Sequence, residues 1–230
     1  MPISEVHNMD CMEYMKDIPD KFFDLAIVDP PYGLGKKSTR GCGKLKRISL
    51  NKFGIDWDKA PEPEYFEELF RVSRNQIIWG GNYFDLPPCR CFVCWDKSQP
   101  WENFSQCEFA WTSFDKPAKL FSLNSGFGSG DKERIHPTQK PIKLYAYLLE
   151  KLAKKGDKIL DTHLGSGSSR IAAYKLGYDF YATEISPEYY CRQEERFRQE
   201  CLGEYKTPIS YEKRITNRTP RRHRIGDTVS

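Results

Sequence analysis

Apolar positions recur along this chain in two rhythms. Short apolar runs rich in branched and aromatic side chains read as buried strands; they cover 3–8, 22–28, 76–81, 91–95, 108–113, 158–161 and 179–183. Apolar residues three and four positions apart predict helices. One runs from Pro61-Glu62-Pro63 to about Ser73, with Tyr65, Phe66, Leu69, Phe70 and Val72 on its inner face. Another starts at Pro141, carries Leu144, Tyr147, Leu148 and Leu152, and is expected to be capped by Gly156. Shorter helical segments span Cys11 to Lys16, behind Asp10, and Arg170 to Leu176, before Gly177. Strands alternating with helices predict an α/β architecture with a mostly parallel seven-stranded sheet and helices on both faces. The 91–95 and 108–113 runs are the expected antiparallel hairpin.

Two stretches break the rhythm. Residues 34–60 and 114–135 carry little periodicity and many Gly, Ser or charged positions, so both read as insertion loops on one domain of residues 1–205. Basic charge gathers in the first and in the tail, 206–230. Seven Lys or Arg and no acid lie between Lys36 and Lys52, and seven against the single acid Glu212 between Lys206 and Arg224. The net charge is only +4, so it is the clustering that suits a phosphate backbone.

With 230 residues and 39% hydrophobic positions, the chain can bury one sizeable core. The absence of a membrane-spanning apolar run and of a signal-like amino terminus predicts a cytoplasmic protein. Its eight cysteines then read as reduced thiols. Cys89, Cys91 and Cys94 offer three thiolates with no fourth Cys or His nearby, so no metal is expected there.

Candidate chemistry sits where strands stop. Asp29-Pro30-Pro31-Tyr32 ends the 22–28 run, since neither proline can donate to a ladder, and presents Asp29 and Tyr32 at a carboxyl-terminal strand edge, where open α/β sheets bind ligands. Asp161-Thr162-His163-Leu164-Gly165-Ser166-Gly167-Ser168 reads as strand, Gly-rich turn and helix start, and Glu184 follows the next strand at a spacing that suits an acid on a ribose diol. The G-x-G-x-x-G pattern is absent, which disfavours a dinucleotide. Asp10 is either a helix cap or a ligand contact at a further strand end.

Together with His136-Pro137-Thr138-Gln139-Lys140-Pro141, Trp79-Gly80-Gly81-Asn82-Tyr83 and Trp95-Asp96-Lys97, these motifs resemble the amino-methylating DNA methyltransferases that use S-adenosylmethionine, with the catalytic motif first and the Gly-rich motif last as in their β-class order. His163-Leu164 departs from the aromatic that often follows the acid. The resemblance spans roughly residues 3–200 and implies a Rossmann-like class I methyltransferase fold. It implies Asp29, Pro30 and Tyr32 as catalytic residues. For the cofactor it implies contacts from Asp10, Asp29, His136, Thr138, Lys140, Asp161, Leu164, Gly165, Ser166, Gly167, Ser168 and Glu184, with Lys140 alternatively a surface charge at a helix start.

The expected partner is double-stranded DNA, with a cognate restriction nuclease possible and a bacterial or phage host in keeping with the compact chain. With Asp rather than Ser before Pro-Pro-Tyr, the resemblance implies the adenine N6 amine over the cytosine N4 amine. Methylation of an RNA base or protein glutamine, or a catalytically idle DNA-binding module, stand further off. Target reading is expected from 34–60, 114–135 and the tail, which suits a brief or loosely read site.

Overall fold

The computed structural model describes residues 1–34, 59–100, 105–124, 134–136 and 138–203. In chain order the elements are β1 (Ser4–His7), α1 (Cys11–Lys16), β2 (Phe23–Val28), α2 (Pro63–Val72), β3 (Ser73–Trp79), β4 (Phe92–Asp96), β5 (Cys107–Thr112), β6 (Lys119–Ser122), α3 (Ile142–Leu152), β7 (Lys158–Asp161), α4 (Ser168–Leu176), β8 (Asp179–Thr183) and α5 (Pro187–Phe197).

Alternation along the strands builds two cores. Leu25 and Ile27 of β2 and Ile77 and Trp79 of β3 point to one face, under α3 and α4; Ala26, Val28 and Ile78 point to the other, under α1 and α2. Leu69, Leu144 and Leu148 are fully buried, each stabilising the fold by about 1.5–3 kcal/mol. This is the α/β class predicted, with helices on both faces of one mixed sheet.

The sheet order is β1-β8-β7-β2-β3-β5-β4-β6. The first five are mutually parallel, β5 runs antiparallel to both β3 and β4, and β6 runs parallel to β4. The sheet therefore has eight strands where the sequence predicted seven. The additional one, β6, lies inside the stretch read as the 114–135 insertion. Its four residues, Lys119-Leu120-Phe121-Ser122, sit at the sheet edge with Leu120 66% exposed, so they carry too little apolar alternation to be legible.

Other boundaries move for local reasons. Helix α3 stops at an extended Ala153, before Gly156, which instead takes φ +90° in the turn into β7. Helix α4 starts two residues before Arg170, because Gly167 at φ +74° already turns the chain. Helix α5 was not predicted. The residues it buries are Gln193, Arg196 and Phe197, so its inner face is mostly polar and shows no apolar period. The predicted loop 34–60 lies outside the described residues from 35 to 58, as do 125–133 of the second loop and the whole tail 206–230. Among the described residues no helix is long and apolar enough to cross a membrane.

Candidate functional site

Because β1, β8, β7 and β2 are parallel, their carboxyl ends lie on one edge, which carries Asp10, Glu184, Asp161 and Asp29. Pro30 and Pro31 end β2 at Val28 and fix the turn that follows. Both Asp29 carboxylate oxygens are held. Tyr32 donates its hydroxyl to Oδ1 at 2.7 Å, and Lys140 approaches Oδ2 at 2.5 Å.

Lys140 is 4% exposed, which excludes the alternative of a surface charge at a helix start. It also pairs with Glu108 at 3.1 Å, and Glu108 with Lys97 at 2.7 Å. Its ammonium sits 5.1 Å from the Trp79 ring centroid, a distance at which the ring face attracts a cation. Burial alone would favour a neutral Lys140, but Asp29 and Glu108 outweigh it and hold the lysine charged. Burial likewise opposes ionisation of Glu108, yet Lys140 and Lys97 bring its pKa down to about 2. The Tyr32 hydroxyl is pushed up by burial and then by Asp29 and Glu108, so it stays a donor.

The Tyr32 ring is closely packed. A Cβ at Gly80 would fall 2.2 Å from Tyr32 Cε1, and Gly80 takes φ +67°, so only glycine lets the backbone press on the ring. Tyr32 also stacks on Tyr83, with ring centroids 4.9 Å apart at 23°. Tyr83 is 47% exposed.

The Gly-rich turn forms the second half of the edge. Asp161 ends β7 and is spent on the turn itself, accepting from His163 N at 3.0 Å and Ser169 Oγ at 2.6 Å. Its burial, with Asp29 and Glu184 nearby, raises its pKa to about 7 despite those bonds. Glu184 accepts from Gly165 N and Ser186 N, each at 2.8 Å, and burial raises its pKa. His136 lies over Gly165, against the Tyr189 ring at 4.3 Å, and its Nδ1 meets Thr138 Oγ1 at 3.0 Å. Burial first, then Lys140, Arg134 and Arg192, lower the His136 pKa to about 4.

The structure thus brings Asp29, Tyr32 and Lys140 into one cluster, and His136, Gly165 and Glu184 into another. Other predicted residues are occupied within the protein. Asp10 caps α1 through Met12 N at 2.7 Å. Leu164 is core. Ser166 and Ser168 hydroxyls face each other, and Arg196 donates to Ser166 O and Ser168 Oγ, both at 2.9 Å. Sequence reasoning missed Glu108, Lys97 and Arg196 as parts of the site. A signal existed for Lys97, in Trp95-Asp96-Lys97; none pointed to the other two. Cys89, Cys91 and Cys94 carry free thiols, that of Cys91 buried. Among the described residues no group of His, Cys, Asp and Glu could hold a metal ion.

A mixed α/β sheet with a strand-end edge of this kind has the class I methyltransferase fold. Two solved structures share the fold: M1.HpyAVI in complex with S-adenosylmethionine, with TM-score 0.55 at 19% identity over 84% of this chain and 98% of that one; and the PvuII cytosine-N4-specific DNA methyltransferase, with TM-score 0.58 at 16% identity over 94% and 91%. Residues 95–195 match the family model of the N6/N4 DNA methylases. The type II methyltransferase M.HinfI of Haemophilus influenzae is 27% identical over 83% of this chain and 67% of its own length. Over residues 95–195 the chain is similar to the N6/N4 DNA methylases, and over about four-fifths of its length it is similar to type II methyltransferases.

Proposed function

We propose that the protein methylates the N6 amine of adenine in duplex DNA, with Asp29 as the catalytic residue. The observation that carries this reading is the Asp29 carboxylate, fixed at the end of β2 between the Tyr32 hydroxyl and the Lys140 ammonium. Each carboxylate oxygen keeps a second lone-pair site, so Asp29 can accept an N–H from an amine while staying oriented. An exocyclic amine is a poor nucleophile while its lone pair is delocalised into the ring. Accepting its N–H bonds at Asp29 and at the Pro30 carbonyl favours a tetrahedral nitrogen and stabilises the positive charge that grows there. The amine nitrogen would bond to the methyl carbon as the carbon–sulfonium bond breaks, the sulfur leaving as a neutral thioether with that electron pair, and the nitrogen would then give up one N–H proton to solvent.

The residues present fit S-adenosylmethionine. Gly165 and Gly167, at φ +53° and +74°, let the backbone make the tight turn at the strand end, and Glu184, held by two backbone N–H groups, keeps lone pairs for a ribose diol. When bound, the cofactor supplies an electrophilic sulfonium methyl. The chain's own work is to align the amine with it and keep water out. Tyr32 and the exposed Tyr83 give the edge an aromatic wall for a base taken out of the duplex, at about 1–3 kcal/mol per stacked base.

Asp at position 29, rather than Ser, supports adenine; cytosine N4 is the second reading, favoured by the likeness to the PvuII enzyme. The test is transfer of labelled methyl to unmethylated duplex DNA, followed by digestion to nucleosides and identification by mass. N6-methyladenine is expected, and N4-methylcytosine would move the base. Asp29→Ala is expected to abolish transfer while leaving cofactor binding within about twofold; wild-type transfer by that variant would overturn the assignment of Asp29.

A further inference from the structure

Four charges stand in a row beneath the site. Lys97, Glu108, Lys140 and Asp29 come from the segment after β4, from β5, from the segment before α3 and from the turn after β2. Their contacts are 2.7, 3.1 and 2.5 Å in that order. The side chains are 18%, 25%, 3% and 17% exposed, so water and salt screen them weakly. The signs alternate and sum to zero.

Asp29 and Lys140 are engaged in the reading above, and Glu108 has no part in it. An ammonium resting on Asp29 alone would cancel the negative charge that the amine needs opposite it as positive charge develops. Glu108 lies on the other side of that ammonium and draws on the same charge. Trp79 beneath Lys140 and the burial of its stem leave the lysine held between the two carboxylates.

We propose that Glu108 is a positioning residue for methyl transfer that acts through Lys140: it takes up part of the ammonium's charge, so that Lys140 orients the Asp29 carboxylate without neutralising it. This rests on the reading of Asp29 as the group that receives the amine. Lys97 then sets the supply, because it competes with Lys140 for Glu108.

The test is the single-turnover rate of methyl transfer to duplex DNA, measured by rapid quench with saturating S-adenosylmethionine, which isolates the chemical step from product release. Glu108→Gln is expected to slow that step by about tenfold or more while changing cofactor and DNA dissociation constants by less than about twofold. Lys97→Met, which leaves Glu108 wholly to Lys140, is expected to transfer about twofold or more faster than wild type. The double variant is expected to stay as slow as Glu108→Gln. A merely structural network would slow all three variants together and shift binding with them.

The proposal is overturned if Glu108→Gln transfers within about twofold of wild type, if Lys97→Met transfers no faster than wild type, or if the double variant regains the wild-type rate, since overall charge balance would then be all that matters. Should Glu108→Gln fail to fold, Lys97→Met decides by itself: a rate above wild type supports the proposal and a rate at or below wild type overturns it. Asp29→Ala run alongside separates the two levels. If it transfers normally, the reading of Asp29 fails; if it is inactive and Glu108→Gln is normal, only the role of Glu108 fails.

Discussion

Gly80 shows how much the site asks of a position with no side chain. Its φ of +67° costs an L residue about 1–2 kcal/mol, and its Cβ would stand 2.2 Å from Tyr32. Gly80→Ala is therefore expected to push the Tyr32 ring aside and break its bond to Asp29. We expect the transfer rate of Gly80→Ala to fall by about tenfold or more, with thermal unfolding shifted by only several degrees, on the order of 2–4 °C per kcal/mol. Parallel rapid-quench and calorimetric measurements check this. Asp29 and Tyr32 were legible because two prolines and a buried strand announce a turn in four consecutive residues. Glu108 was not. An acid in a half-buried strand has no local mark, and its meaning comes from Lys140 and Lys97, which only the folded sheet brings near.

At the scale of elements, the Gly-rich turn is shaped from outside. Helix α5 sends Arg196, 8% exposed, to Ser166 O and Ser168 Oγ, and Gln193 packs 3.1 Å from where a Gly167 Cβ would be. Hydrogen bonds from a charged donor contribute about 1.5–3 kcal/mol each. Arg196→Met is expected to cost ~2 kcal/mol, or roughly 4–8 °C in Tm, and to weaken S-adenosylmethionine binding more than it changes the transfer rate at saturation. Calorimetry and titration with the cofactor check the two parts. The strand, turn and helix of this unit could be read from the sequence because glycine punctuates them. The helix that holds them could not, because its buried face is Gln193, Arg196 and one Phe. Likewise β6 was hidden by its place at the sheet edge, where little of it needs to be apolar.

The molecule as a whole stores its charge states in burial, which gives a pH dependence of definite sign. His136 and His163 have pKa values lowered to about 4 from 6.5, by burial in each case and, for His136, also by neighbouring cations. A depressed folded-state value means their contribution to stability is fully present above pH 6.5 and is lost as pH falls through 4. Unfolding midpoints across that window are expected to fall less steeply in His163→Gln than in the wild type. Asp161 works in the opposite direction. Its pKa is raised from 3.8 to about 7, so its contribution is present below pH 3.8 and is lost as pH rises through 7. Asp161→Asn is expected to gain stability relative to wild type between pH 4 and 7, as measured by thermal melts at several pH values.

The pairing of β1 with β8 also sets when the site can exist. Ile3 N bonds to Asp179 Oδ1 across 176 positions, and Glu184 N bonds to His7 O. Strand β2 in turn waits for β7 to close its other side. A ribosome adding about 5–20 residues per second needs roughly 9–35 s to cover the interval from the first strand to its partner. For the first part of that time Asp29 is made but its strand is still open on the β7 side, and neither Lys140, 111 positions further on, nor the Gly-rich turn yet exists. The two halves of the site mature together and late, so a chain interrupted before β8 emerges is exposed to misassembly and has no activity to lose.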